Sequence, residues 1–208
     1  MKLPINRWDR ICRLLRGDTQ GVTIIEFALV LPPLLIIVIG GLDLGYQAYL
    51  QTVLQGALND VARSGSMESP SFDCDGDTVE AKIGCAVQSR SDVIARDATY
   101  SIVMKSFYDF SGVGRSEKLI TDYNGNGEYD DGDCYSDLNE NGSFDEDAGK
   151  EGVGGADDVV FYQASLSMPR LFPMKGLLGW DDNYTITAEM ALRNQPYSRQ
   201  KTPPTVCN

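Results

Sequence analysis

Apolar and polar positions follow three different patterns along this chain. From Gly21 to Leu42, GVTIIEFALVLPPLLIIVIGGL, apolar residues run on almost without a break, and Phe27 to Leu42 contains no charged side chain. A helix needs about 20 such residues to cross a bilayer. A core helix of a soluble domain normally keeps a polar stripe. The run therefore predicts a membrane helix over 22–42. Beyond it, Leu50, Val53, Leu54, Ala57, Leu58 and Val61 recur at three- and four-residue spacing, which predicts an amphipathic continuation over 43–65. Arg63, Ser64 and Gly65 supply a basic last turn and a glycine stop. At 1.5 Å per residue this helix is about 65 Å long.

The third pattern is alternation. Ala98–Phe110, Asp158–Met168 and Tyr184–Arg193 are rich in β-branched and aromatic residues and predict three strands. A helix is expected over 79–97, a loop over 66–79, and a turn or short helix over Leu171–Trp180. One helix face against three strands gives an α+β fold: a long N-terminal helix packed on a small antiparallel sheet.

Composition narrows the chemistry. There are no histidines in 208 residues. That removes the commonest general base and zinc ligand, so an enzyme is not expected. The formal charge of −12 is uneven: residues 1–21 hold five basic and two acidic side chains, the remainder 13 basic and 28 acidic. Nucleic acid is excluded as a partner of so acidic a body. The basic leader, 1–21, is expected to stay cytoplasmic and the domain at 66–208 to lie across the membrane. A secretory signal peptide competes, but Ile39-Gly40-Gly41 matches its cleavage site poorly.

Two features of the apolar run stand out. Pro32 and Pro33 each remove a helix hydrogen bond, so a kink or loosening is expected there. Glu26 is a carboxylate at the edge of hydrocarbon, which costs several kcal/mol unless paired or protonated. Glu26 is the fifth residue after Gly21, and Phe27 the sixth.

A basic leader ending in Gly21, then Val22, then Glu26-Phe27, resembles the processing site of type IV prepilins, most closely the Flp/Tad branch. The continuation from Glu26 to Ser66 is similar to the TadE-like minor pseudopilins; the resemblance covers about Arg16 to Ser66. It implies a pilin-like plan, a prepilin peptidase cutting after Gly21, and pilins and pseudopilins as partners in a bacterial inner membrane. It also implies that the new Val22 amine, with a pKa near 8, pairs with Glu26 and offsets the burial of its carboxylate.

The five cysteines divide by compartment. Cys12 lies in the leader, where thiols stay reduced, and is lost on cleavage. Cys74, Cys85, Cys134 and Cys207 remain, with three possible pairings. Cys74–Cys85 with Cys134–Cys207 is favoured because the first closes a short local loop. The polar tail, 194–208, is expected to be an extended arm pinned through Cys207.

Residues 122–158 carry an internal repeat. Asp122, Asn124, Asn126, Gly127, Glu128, Asp130 and Asp133 fall at positions 1, 3, 5, 6, 7, 9 and 12 of an EF-hand-type loop. Fifteen residues on, Asp137, Asn139, Asn141, Gly142, Ser143 and Asp145 repeat the register, but position 12 is Ala148, so Asp147 or Glu151 has to stand in. The pair resembles dockerin-type or thrombospondin-repeat calcium loops. One or two structural Ca2+ ions are expected, ordering a long insertion that self-repulsion would otherwise loosen. Two functions follow: a pseudopilin taking part in pilus assembly, or an uncleaved, membrane-anchored calcium-binding envelope protein or adhesin.

Overall fold

The computed structural model describes residues 21–173 and 175–207. The expectations for the leader, including Cys12, lie outside the described residues. The chain divides into two compact units, one ending at Gly45 and the other running from Tyr46 to Asn208. Helix α1, Val22–Gly65, begins in the first and ends in the second. It continues as one helix through Pro32 and Pro33, although neither residue can donate a helix hydrogen bond.

In the first unit the apolar run is exposed: Ile24, Leu29 and Ile37 each present about 70 % of their surface (73 %, 72 % and 71 %). Its most apolar window has a mean hydropathy of 2.6 and no buried residue. α1 is thus long and apolar enough for a single-pass membrane anchor.

The second unit is α+β. Helix α2, Val79–Ser91, starts where the Thr78 hydroxyl accepts the Ala81 N–H. It stops short of the predicted residue 97. Asp92, Val93 and Ile94 are weak helix formers, and the Ile94 carbonyl is taken by the Tyr46 hydroxyl at 3.1 Å. The main sheet is built from β1 (Thr99–Phe107), β4 (Lys150–Glu151), β5 (Val159–Pro169) and β6 (Asn183–Arg193), in the order β4-β1-β5-β6, all antiparallel. β1 ends before the predicted Phe110 because the Asp109 carboxylate accepts the N–H groups of Ser111 and Gly112 and turns the chain. A short helix, α3 (Lys175–Leu178), precedes β6.

One face of this sheet takes the helices. Leu50, Leu54, Leu58, Val61 and Ala62 of α1 and Ile83, Ala86 and Val87 of α2 pack with Tyr162, Ala164, Leu166, Tyr184 and Ile186. The β5 pattern alternates buried and half-buried positions, as one covered face requires. Along the open edge of β6, Gln51 and Gln55 donate to the carbonyls of Thr187 (2.9 Å) and Glu189 (3.1 Å), occupying groups that would otherwise invite another strand. Leu54 is fully buried. Leu54→Ala is expected to destabilise this unit by about 2–5 kcal/mol, seen as a lower melting temperature of the full chain in detergent.

A second sheet was not foreseen from sequence. It consists of β2 (Lys118–Thr121), β3 (Cys134–Ser136) and β7 (Thr205–Cys207), in the order β2-β3-β7. The tail is pinned through Cys207 as expected, and its last described residues, Thr205–Cys207, are in addition a paired strand. Cys134 and Cys207 are register partners and are disulfide-bonded; Cys74 and Cys85 form the other bridge. Both favoured pairings are present.

Candidate functional site

The two acidic loops are joined by β3, so that Asp133 ends one, Cys134–Ser136 crosses the small sheet, and Asp137 opens the next. In the first loop the Asp122 carboxylate accepts the N–H groups of Gly125 (2.6 Å) and Gly127 (2.8 Å). These bonds, Gly127's foremost, hold its pKa below the usual carboxylate value. Asn124 Oδ1 accepts from Asn126 N at 3.0 Å, and Asn126 Oδ1 from Glu128 N at 2.8 Å. Both Asn side-chain amides donate to Asp130 Oδ2 at 2.6 Å. The buried Asp133 closes the loop, its two oxygens accepting from Tyr123 N and Asp130 N, each at 3.0 Å. Gly127, at the sixth position, has φ +81°, the left-handed turn that glycine tolerates best. The Glu128 side chain is exposed; position 7 of such a loop contributes its main-chain carbonyl.

The second loop repeats most of this network through its first nine positions; the difference is that its opening Asp accepts from the fifth and sixth N–H groups, where Asp122 accepts from the fourth and sixth. Asp137 accepts from Asn141 N (3.1 Å) and Gly142 N (2.9 Å). Asn139 Oδ1 accepts from Asn141 N (3.1 Å), and Asn141 Oδ1 from Ser143 N (2.8 Å). The amides of Asn139 and Asn141 donate to Asp145 Oδ2 at 2.8 and 2.6 Å.

Neither Asp147 nor Glu151 makes the bonds in the second loop that Asp133 makes in the first. Asp147 is turned away: its carboxylate pairs with Lys105 and accepts the Gly149 N–H. Glu151 is exposed on β4, opposite Lys105. Glu117, just before β2, makes those bonds. Its Oε1 accepts from Leu138 N at 2.7 Å and its Oε2 from Asp145 N at 3.2 Å. These are positions 2 and 9 of the second loop, the same two N–H groups that Asp133 holds in the first. Burial raises the Glu117 pKa, against the opposing pull of the Leu138, Asp145 and Asn139 N–H groups. Linear spacing could not reveal this residue, because it lies 21 positions before Leu138.

The eighth positions bring the loops together. Tyr129 and Phe144 stack at 4.4 Å with their rings 9° from parallel, and Tyr135 of β3 stands edge-on to both. Tyr135 is fully buried, and its hydroxyl has no hydrogen-bond partner among the described residues. Burial, then the charges of Asp137 and Glu117, push its pKa up. Among the described residues no three His, Cys, Asp or Glu side chains close on one point. The donors alternate carboxylates with Asn amides and main-chain groups, the oxygen mixture that a hard cation such as calcium takes.

At the other end, Gly21 directly precedes α1, and a Cβ built on it meets none of the described residues within 4 Å. Val22, Glu26 and Phe27 follow on the first turns of the helix, all exposed. Residues 21–63 match the family model described as TadE-like protein. The match runs from Gly21 through the apolar run and nearly to the end of α1, and leaves both sheets and the acidic loops unmatched. No curated protein and no solved structure matches the chain.

Proposed function

We propose that the chain is a minor pseudopilin of a Tad/Flp-type pilus, anchored by α1 with its leader in the cytoplasm and its α+β unit in the periplasm. A prepilin peptidase removes the leader after Gly21, and the new Val22 amine then meets the Glu26 carboxylate, in the same subunit or a neighbour. The observation that carries this reading is the TadE-like match beginning at Gly21 itself and continuing over both the apolar and the amphipathic parts of one helix. The placement of Gly21 supports it too: the residue stands at a helix start, and among the described residues nothing lies within 4 Å of a Cβ built on it.

In the same reading the acidic loops hold structural calcium. Asp122, Asn124, Asn126, Asp130 and Asp133 supply the first set of ligands, and Asp137, Asn139, Asn141 and Asp145 the second, with the carbonyls of Glu128 and Ser143 at position 7. Calcium there neutralises the carboxylates and stiffens the insertion between β1 and β5.

Intact mass of the protein taken from bacterial membranes, with and without the cognate peptidase, tests the pseudopilin reading. A chain starting at Val22 only when the peptidase is present is the expected result. A chain starting at Met1 despite active peptidase would leave an uncleaved, membrane-anchored calcium-binding envelope protein.

A further inference from the structure

We infer that the loop joining β5 to β6, from Arg170 to Trp180, is a foot that enters the headgroup layer of the phospholipid bilayer. The inference rests on the membrane-anchor reading of α1 and adds to it a second membrane contact, made by the α+β unit.

The first observation is depth. α1 is one continuous helix, and its apolar run ends at Leu42. Tyr46 follows about 6 Å further along the axis, at 1.5 Å per residue. The headgroup layer on each side of the hydrocarbon is about 5–7 Å thick. Tyr46 therefore stands within it.

The second is direction. Inside the α+β unit the Tyr46 ring lies 5.7 Å from that of Tyr184. Further along α1, Gln51 donates to the Thr187 carbonyl and Gln55 to the Glu189 carbonyl. β6 thus climbs away from the bilayer alongside this part of α1, and the residues before Tyr184 lie on its membrane side. β5 runs antiparallel to β6 and ends at Pro169, opposite Asn183. The loop between them is turned toward the bilayer, at or below the depth of Tyr46. The acidic loops belong to the opposite end of the sheet. The chain leaves β1 at Phe107 and returns at Val159, a pair in register with Arg193 at the far end of β6.

The third is chemistry. From Leu171 to Trp180 the sequence has no acidic residue and one charge, Lys175, although the chain beyond residue 21 holds 28 acidic and 13 basic side chains. Leu171 and Leu178 are exposed, apolar area that an interface would cover. The Arg170 guanidinium lies 5.2 Å over the Trp180 ring and 4.6 Å over that of Tyr184. Trp180, Arg170, Tyr184 and Tyr46 thus form one run of contacts from the loop to α1. Trp, Tyr, Arg and Lys are the side chains that suit this layer, with an apolar body and a polar tip. Lys175 pairs with Asp182, so a zwitterionic surface suffices.

The test reads depth with tryptophan. The chain has two, Trp8 and Trp180, so Trp8→Phe leaves Trp180 as the sole emitter. The full chain is placed in phosphatidylcholine vesicles carrying a spin label high on the acyl chain. The control chain combines W8F and Trp180→Phe with Tyr197→Trp. Tyr197 is exposed, and its segment is bonded just beyond the far end of α1, Gln195 N to Ser66 O. Trp180 is expected to be quenched several-fold more than the Y197W control. Leu171→Glu with Leu178→Glu, both at exposed positions, is expected to remove most of that difference without lowering the melting temperature. Equal quenching of Trp180 and the control would overturn the inference. So would an L171E/L178E chain quenched as fully as the parent, because the tether of α1 alone would then account for the depth. Trp180 shielded from aqueous iodide yet untouched by the lipid label would mean that another protein covers the loop, and would overturn it too. A chain that does not float with the vesicles would remove the anchor reading itself.

Discussion

Gly21→Leu is expected to leave the chain at precursor length in cells where the parent protein is shortened to begin at Val22. The expected effect is close to all-or-none. A peptidase that cuts after glycine must bring main chain into its site, and a branched side chain at that position blocks the approach. The structure makes the experiment easy to interpret. A Cβ on Gly21 meets none of the described residues within 4 Å, and Gly21 lies outside α1. The substitution therefore leaves the helix and the α+β unit undisturbed, and lost processing cannot be mistaken for misfolding. Intact mass gives the length, and a thermal melt of the same sample confirms an unchanged fold. Normal shortening of the G21L chain would place the cut elsewhere and take the pairing of Val22 with Glu26 away with it.

Chelation is expected to lower the melting temperature of the parent chain by about 10–20 °C. One site at a calcium concentration 100-fold above its dissociation constant adds about 2.7 kcal/mol, and two sites about 5 kcal/mol. In a unit of this size each kcal/mol moves the melting temperature by about 2–4 °C. The energy has a structural address. Between β2 and β4 the chain has only the three residues of β3 as regular structure. The loops on either side are held by bonds to Asp122, Asp130, Asp133, Asp137, Asp145 and Glu117, carboxylates that repel one another without a cation. Magnesium, which demands a tighter octahedral shell, should restore little of the loss. Adding Asp122→Asn and Asp137→Asn together should abolish the response. Equal melting temperatures in calcium and in chelator would sink the proposed structural role.

The Cys134–Cys207 bridge joins the two halves of this picture. It fixes the terminal strand β7 to β3, the strand between the loops. A crosslink across 73 residues removes about 4 kcal/mol of chain entropy from the unfolded state in the simplest model. The crosslink and the proposed ions thus act on the same small sheet, one through the unfolded chain and the other through the folded loops.

Much of the architecture could be read from local pattern. The 44-residue helix announces itself because its first half is an almost unbroken apolar run and its second half repeats apolar residues every three or four positions, as the face it lays on the sheet requires. The β5–β6 pair, in register from Val159↔Arg193 to Pro169↔Asn183, was legible for the same reason. The repeat of Asp and Asn at Asp122 and Asp137 was legible as well, and in both loops the side chains at alternate positions bond the main chain in the same way. Where prediction overran, at the ends of α2 and β1, single side-chain bonds from Tyr46 and Asp109 decided the boundary.

By itself, then, the sequence determined the anchor, the α+β class, the glycine and glutamate at the head of the helix and the doubled acidic repeat. All of these are written in contacts between residues a few positions apart. Only the tertiary structure decided that the tail becomes a strand, that the small sheet exists and that Glu117 serves a loop beginning twenty residues later. Those depend on which distant segments meet: β2 and β7 flank β3, and that pairing carries a carboxylate to two N–H groups no spacing rule connects with it. Glu117, one residue before β2, thereby spans positions 2 and 9 of the second loop as Asp133 spans those of the first, a likeness that only the pairing of distant strands creates.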